Sequence, residues 1–134
     1  MKSGNRILKI INIIEKKEGD SMKVVINARH SGFSLSDEAL RRLKELAIQE
    51  EDKCLLKLFG SNRYSYEIEQ SIPRNHPLLV RVVEELGKKA NGYLANLRIV
   101  NIPDGTDFVI EEEDGFEWVA EKHRKWYPEE ENPF

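Results

Sequence analysis

Apolar and polar positions change period several times along this chain, and each change marks an element. Lys23-Val24-Val25-Ile26-Asn27 is short and β-branched, the composition of a strand. Arg29 to Ser34 forms a small polar loop. Ser36 then stands ahead of Asp37 and Glu38, an N-cap followed by acidic residues that favour a helix start. Leu40, Leu43 and Leu46 or Ala47 follow at helical spacing, which predicts a helix over 37–50. Lys53 to Phe59 is a short apolar run bracketed by Asp52 and Gly60, and reads as a strand rather than a helix extension. Asn62 to Ser71 alternates weakly through Tyr64, Tyr66 and Ile68, as an edge strand or an irregular segment does.

The second helix has the strongest signal. Pro77 suits a first helical position, where its missing N–H costs nothing. Leu79, Val82, Val83, Leu86 and Ala90 fall on one stripe, and Asn91-Gly92 supplies a stop with Gly92 in a left-handed conformation. Leu97 to Ile102 is a strand ended by Pro103-Asp104-Gly105. Phe108–Glu112 and Phe116–Glu121 read as a hairpin around Asp114-Gly115. A two-residue loop pairs Glu113 with Phe116 and splits the large apolar residues between faces. A three-residue loop with Gly115 as the bulge residue instead puts Phe108, Ile110, Phe116, Trp118 and Ala120 on one face. The half-buried pattern favours that bulged loop. Strands and helices in this order predict an α+β fold: a small, largely antiparallel sheet with two amphipathic helices packed on one face.

Composition narrows the class. The 134 residues are one domain's worth, with 40% apolar and 34% charged side chains. Lys and Arg number 21 against 24 Asp and Glu, so the net charge of −3 argues against a nucleic-acid-coating protein. A single Cys excludes an internal disulfide and a Cys-based zinc site, and no apolar run is long enough to span a bilayer. A cytoplasmic location is the expectation.

Residues 1–21 stand apart. Ile7, Leu8, Ile10, Ile11, Ile13 and Ile14 have helical spacing among Lys2, Arg6, Lys9, Lys16 and Lys17, as in a membrane-surface or targeting helix. Lys16-Lys17-Glu18-Gly19 is also encodable by a purine-rich ribosome-binding stretch, with Met22 at a suitable distance. The expectation is a native start at Met22, a translated leader or separate helix before it, one domain over 22–126, and an acidic tail over 127–134. Removing the five Lys/Arg and three Asp/Glu of the leader takes the net charge from −3 to −5.

Three blocks carry a family resemblance. Lys23 to Asn27 followed by Gly32-Phe33, Leu35-Ser36 and Glu38-Ala39 is the first. Ile72-Pro73-Arg74, Pro77, Leu79-Val80, Val82 to Gly87, Ala90 and Gly92 form the second. Ile99-Val100, Ile102-Pro103, Asp114-Gly115 and Glu117 to His123 form the third. In order, these resemble a family of small uncharacterised proteins of bacteriophages and prophages. Ser31 and Ser34 stand where that family usually has glycine. The resemblance implies a phage or prophage origin and an α+β fold, and it carries over no catalytic residue.

Two clusters are candidates for binding. Asn27, Arg29, His30, Ser31, Gly32 and Ser34 lie between a strand and a helix N-terminus, where free N–H groups and the helix dipole suit an anion. The plainer alternative is that Ser34 and Ser36 cap the helix and Phe33 fills the core. Arg74, Asn75 and His76 form a second basic group before a second helix, where the dipole disfavours cations unless a carboxylate or anion offsets them. Were the helices parallel, both N-termini would converge on one ligand. Alternatively, Arg74 pairs with a surface Glu, and Asn75 or His76 caps the helix.

Other patterns are weaker. Trp118 with His123, Arg124, Lys125, Trp126 and Tyr127 mixes aromatic and basic residues, but Glu129 to Glu131 adjoin, so a core Trp118 and a solvated tail fit better. Glu111 to Asp114 reads as a solvated edge. His30, His76 and His123 have no metal-ligand spacing, and Cys54 reads as an inert core thiol. No catalytic residue, metal site or cofactor is expected. The leading expectation is a non-catalytic phage accessory protein that binds, and by extension sequesters, a small anionic or nucleotide-like ligand. The alternative is an interaction module that inhibits or modifies a host protein through exposed Tyr64, Tyr66 and Trp126. A third class, a hydrolase or transferase, needs a carboxylate or nucleophile within reach of His30 or His76. Nucleic acid and membrane are not expected as partners, and homo-oligomerisation is left open.

Overall fold

The computed structural model describes residues 20–122. The leader and tail readings, with His123 and Trp126, lie outside the described residues except at Asp20 and Ser21. The fold is α+β. Strand β1 (Ser21–Asn27) leads to helix α1 (Asp37–Gln49), then α2 (Lys53–Phe59), α3 (Ser65–Ser71) and α4 (Pro77–Leu86). A short 3-10 turn (Gly87–Ala90) precedes β2 (Leu97–Pro103), β3 (Phe108–Glu113) and β4 (Phe116–Glu121).

The expected single sheet is instead two separate ribbons. β1 pairs antiparallel with β2 from Ser21↔Pro103 to Asn27↔Leu97. β3 pairs antiparallel with β4. Val24, Val25 and Ile26 are all buried, because β1 is packed against both α4 and β4. That double coverage explains why β1 reads as an apolar run without alternation.

Two segments predicted as extended are helical. Lys53–Phe59 is α2, because the Asp52 side chain caps it, accepting from Leu55 N at 3.0 Å. Leu55 is buried, while Leu56, Leu58 and Phe59 pack against the core, so an apolar run this short was read with the wrong period. α3 occupies the weakly alternating stretch. The Glu67 carboxylate reaches back to Tyr64 N at 3.3 Å, and Ile68 and Ile72 are buried on one side. Among the described residues four helices therefore stand where two were expected.

α1 and α4 run antiparallel across the core. Ser36 N and Oγ, at the start of α1, donate to Ala90 O and Lys89 O, just past the end of α4, at 2.9 and 2.6 Å. Farther along, Arg42 Nε meets Glu85 at 2.9 Å. Leu43, Leu46 and Ala47 of α1 interlock with Leu79, Val82 and Val83 of α4, joined by Phe33, Leu35, Leu55, Ile68 and Ile72. α4 ends earlier than the sequence suggested: Gly87, at φ 57°, makes the stop. Gly92 has another task. It donates to Ser34 O at 2.9 Å, and a Cβ there would fall 2.1 Å from Ser34 Oγ.

The hairpin uses the other register from the one the apolar pattern favoured. Glu113 pairs with Phe116, Glu112 with Glu117 and Glu111 with Trp118. Asp114 and Gly115, at φ 48° and 85°, form the two-residue turn. This register turns Glu117 inward, where it is 7% exposed, and leaves Trp118 40% exposed. Trp118 is thus not a core residue; its Nε1 donates to Glu111 Oε1 at 2.9 Å. Cys54, expected in the core, is exposed.

Candidate functional site

Between the loop 31–34, α3 and the β3–β4 hairpin lies an open cleft of about 660 Å³. Ser31, Gly32, Phe33 and Ser34 form one side, with Arg74 at the floor. Tyr66 and Gln70 come from α3, Tyr93 from the loop after α4, and Ile110, Glu112 and Glu117 from the hairpin. Of the nine residues singled out in the sequence, the cleft gathers Ser31, Gly32, Ser34 and Arg74.

Arg74 reaches this position because its own backbone is stitched to β1. Val25 N donates to Arg74 O at 2.8 Å. Its guanidinium is then enclosed. Nη1 and Nη2 donate to the two oxygens of Glu117 at 2.7 and 2.9 Å, and Nη1 lies 3.3 Å from Val25 O. The cation also stacks on Phe33, with its central carbon 3.5 Å from the ring centroid. Glu117 accepts in addition from Asn27 N at 2.8 Å. Arg74 pairs with a Glu, as one sequence reading had it, but a buried one from the hairpin. The charge that was to attract an anion is matched inside the fold.

Asn27 is fully buried and organises the loop from beneath. Nδ2 donates to Arg29 O and Gly115 O, both at 2.9 Å, with Ser31 Oγ at 3.4 Å. Oδ1 accepts from Asn96 N at 2.8 Å. Its amide is spent on joining β1, the loop and the hairpin tip. The tip closes over the loop: a Cβ on Gly115 would sit 2.5 Å from Gly32 N and 2.8 Å from Ser31 N. Ser31 N already donates to Arg29 O at 2.8 Å, and the tip stands close over Gly32 N, so the loop is not an open anion cradle.

The remaining candidates point elsewhere. His30 is exposed, its Nδ1 donating to Glu113 O at 3.1 Å and its ring 5.3 Å from Phe116. Arg29 is exposed on the same loop. Asn75 lies beside Met22 and Pro77 in a separate hollow. His76 is the N-cap of α4, as anticipated. Nδ1 accepts from Leu78 N at 3.1 Å, so Nε2 carries the proton and donates to Asp52 Oδ2 at 2.9 Å. His76 therefore does have a carboxylate within reach, but both ring nitrogens are engaged in capping. The antiparallel helices keep the two N-termini at opposite ends, so they do not converge on one ligand.

Sequence reasoning missed two buried carboxylates. Glu117 was hidden by the choice of hairpin register, although Asp114-Gly115 carried the correct signal. Glu69 of α3 is 6% exposed, and Oε2 accepts from Leu35 N at 2.6 Å. Burial pushes its carboxyl above the usual carboxylate range, against the opposing hydrogen bonds from Leu35 N and Ser34. Asp52 is moved the other way. The hydrogen bond from Leu55 N, then that from His76, hold it below the usual range despite some desolvation.

Among the described residues no three His, Cys, Asp or Glu are placed to hold a metal ion, and no helix is long and apolar enough to cross a membrane. No family model matches the chain, and no curated protein or solved structure matches it either.

Proposed function

We propose that this protein is a non-catalytic interaction module whose cleft between α3 and the hairpin receives part of another protein. The observation that carries this reading is the charge state of the cleft. Its cation, Arg74, is neutralised bidentately by Glu117, while Glu112 has no ion-pair partner among the described residues. A free anion entering there would meet a net negative site. Tyr66 and Tyr93 on the walls are 69% and 87% exposed, the side chains best suited to wide contact at small entropic cost. Tyr64, at the start of α3, is also 82% exposed. The resemblance to phage and prophage proteins makes a host factor the expected partner.

Retention of bacterial host proteins on the immobilised full-length chain tests this. A Tyr66→Ala/Tyr93→Ala variant keeps the core, because both rings are on the surface. A protein held by the wild type and lost by the variant supports the reading. Equal retention by both, together with a thermal shift on adding nucleotides, would return the anion-binding alternative.

A further inference from the structure

Neither outer edge of the hairpin pairs with another strand among the described residues, and the β3 edge borders the cleft. The ladder between β3 and β4 fixes which backbone groups are free. Closing the two-residue turn makes Glu113 and Phe116 a hydrogen-bonded pair. Lys122 N donates to Asp107 O at 2.7 Å at the far end, which keeps the same parity. Asp107, Val109, Glu111 and Glu113 therefore bond inward to β4. Phe108, Ile110 and Glu112 present N–H and C=O away from it. Among the described residues β3 has no other strand beside it, and no backbone bond uses those three positions. Three outward positions match the span of a short strand. Ile110 and Glu112 are also cleft residues, so a chain laid along this edge would run past Tyr66 and Tyr93.

The charge of the edge selects the occupant. Glu111, Glu112, Glu113 and Asp114 are consecutive, all are exposed, and none is in an ion pair within the described residues. A second copy of β3 laid edge to edge would set carboxylate against carboxylate, which is how acidic strands resist self-association. A strand bearing Lys or Arg at alternate positions meets the opposite condition: on the cleft face its cations pair with Glu112 beside aromatic walls for their aliphatic stems, and on the other face they would meet Glu111 and Glu113. We infer that the β3 edge takes up an extended, Lys- or Arg-rich segment of a partner protein by strand addition. This rests on the interaction reading above and names the mode and chemistry of that site.

The test uses the full chain and a synthetic peptide alternating Lys and Val. Two controls accompany it: its Glu-Val counterpart, and the Lys-Val peptide N-methylated at alternate amides, which keeps its charge but cannot pair. The basic peptide should bind, the acidic one should bind at least roughly tenfold more weakly, and methylation on the pairing side should cost roughly tenfold. Hydrogen exchange should slow at Ile110 and Glu112 amides on binding. Ile110→Pro removes an outward N–H without touching the β3–β4 ladder and should weaken binding; the methylated peptide gives the same reading should that variant unfold. Binding unaffected by methylation would overturn strand addition, as would failure of the Lys-Val peptide to bind. Protection of these amides before any peptide is added would overturn the choice of occupant, because the chain's own basic residues 2–17 would then cover the edge. A host partner lost on Tyr66→Ala/Tyr93→Ala yet retained by Ile110→Pro would leave the interaction reading standing and this inference refuted.

Discussion

Arg74 and Glu117 face each other across the join between the helical body and the hairpin, at 2.7 Å, with their side chains only 14% and 8% exposed. The pair is the main polar tie of β4 to β1 and to the loop before α4. A buried pair of this kind is worth little against an apolar replacement, but breaking it leaves a stranded charge. Glu117→Ala should therefore lower unfolding stability by about 3 kcal/mol or more. Arg74→Met combined with Glu117→Leu should recover the part due to the stranded cation, though not the part due to Asn27 N, which still lacks its acceptor. Urea unfolding of the single and double variants measures the difference, and an additive double variant would show that the pair acts independently of one another.

The hairpin tip is fixed by a second constraint, and two glycines separate its causes. Gly115 has φ 85° and lies so close to the loop that a Cβ would meet Gly32 N at 2.5 Å. Gly105 has nearly the same backbone, φ 82°, with open space around it. Gly105→Ala should cost about 1 kcal/mol from backbone strain alone. Gly115→Ala should cost clearly more, because backbone atoms of Ser31 and Gly32 must move. Thermal melts of the two variants side by side give the comparison; equal losses would mean that the tip does not press on the loop.

Much of this arrangement was legible in the residues, and the failures share a cause. α1, α4, β1 and β2 were readable because each carries a long apolar stripe or a β-branched run whose signal is local. Phe33 as a core plug and a cap at Asn75 or His76 were legible as alternatives, and the structure has Phe33 buried and His76 as the cap. α2 was misread because seven residues with apolar neighbours fit either period until Asp52 and its bond to Leu55 N are seen. The hairpin register failed for a different reason. Gathering Phe116 and Trp118 with Ile110 maximised apolar burial on paper, whereas the observed register places Glu117 against Arg74, distant in sequence. The two-residue Asp114-Gly115 turn sets the register, and no local window contains both Glu117 and the Arg74 that meets it. Within the binding cluster, Arg74 and His76 were visible, whereas the carboxylates that meet them, Glu117 and Asp52, came from other elements.

The joined caps of α2 and α4 should make the fold acid-sensitive. Asp52 accepts from Leu55 N and from His76 Nε2, and its folded pKa is lowered for those reasons. A group lowered on folding contributes stability above its unfolded pKa and loses it as pH falls through the folded value. Stability should accordingly drop on the acid side of the ordinary Asp range. Asp52→Asn keeps an acceptor for Leu55 N but cannot titrate, so its stability should vary less over that interval. Chemical unfolding across acid pH, wild type against variant, measures the slope; parallel profiles would remove Asp52 as the source.

Glu69 should act with the opposite sign. Its carboxyl is buried beneath the loop at Leu35, and desolvation raises its folded pKa above the unfolded one. The ionised form is then a cost to the fold at neutral pH. That cost is present above the folded pKa and is relieved as pH falls through it. Glu69→Gln retains an oxygen for Leu35 N and carries no charge, so at neutral pH it should match or exceed wild-type stability, by up to about 1 kcal/mol. The advantage should shrink as the solution is acidified towards the pH at which wild-type Glu69 takes up its proton. Leu35 N would lose its partner altogether in Glu69→Leu, and that variant should be less stable than either by about 1–3 kcal/mol. Unfolding free energies of the three proteins at neutral and mildly acidic pH decide the matter: a Gln variant weaker than wild type throughout would mean that the charge itself holds the loop.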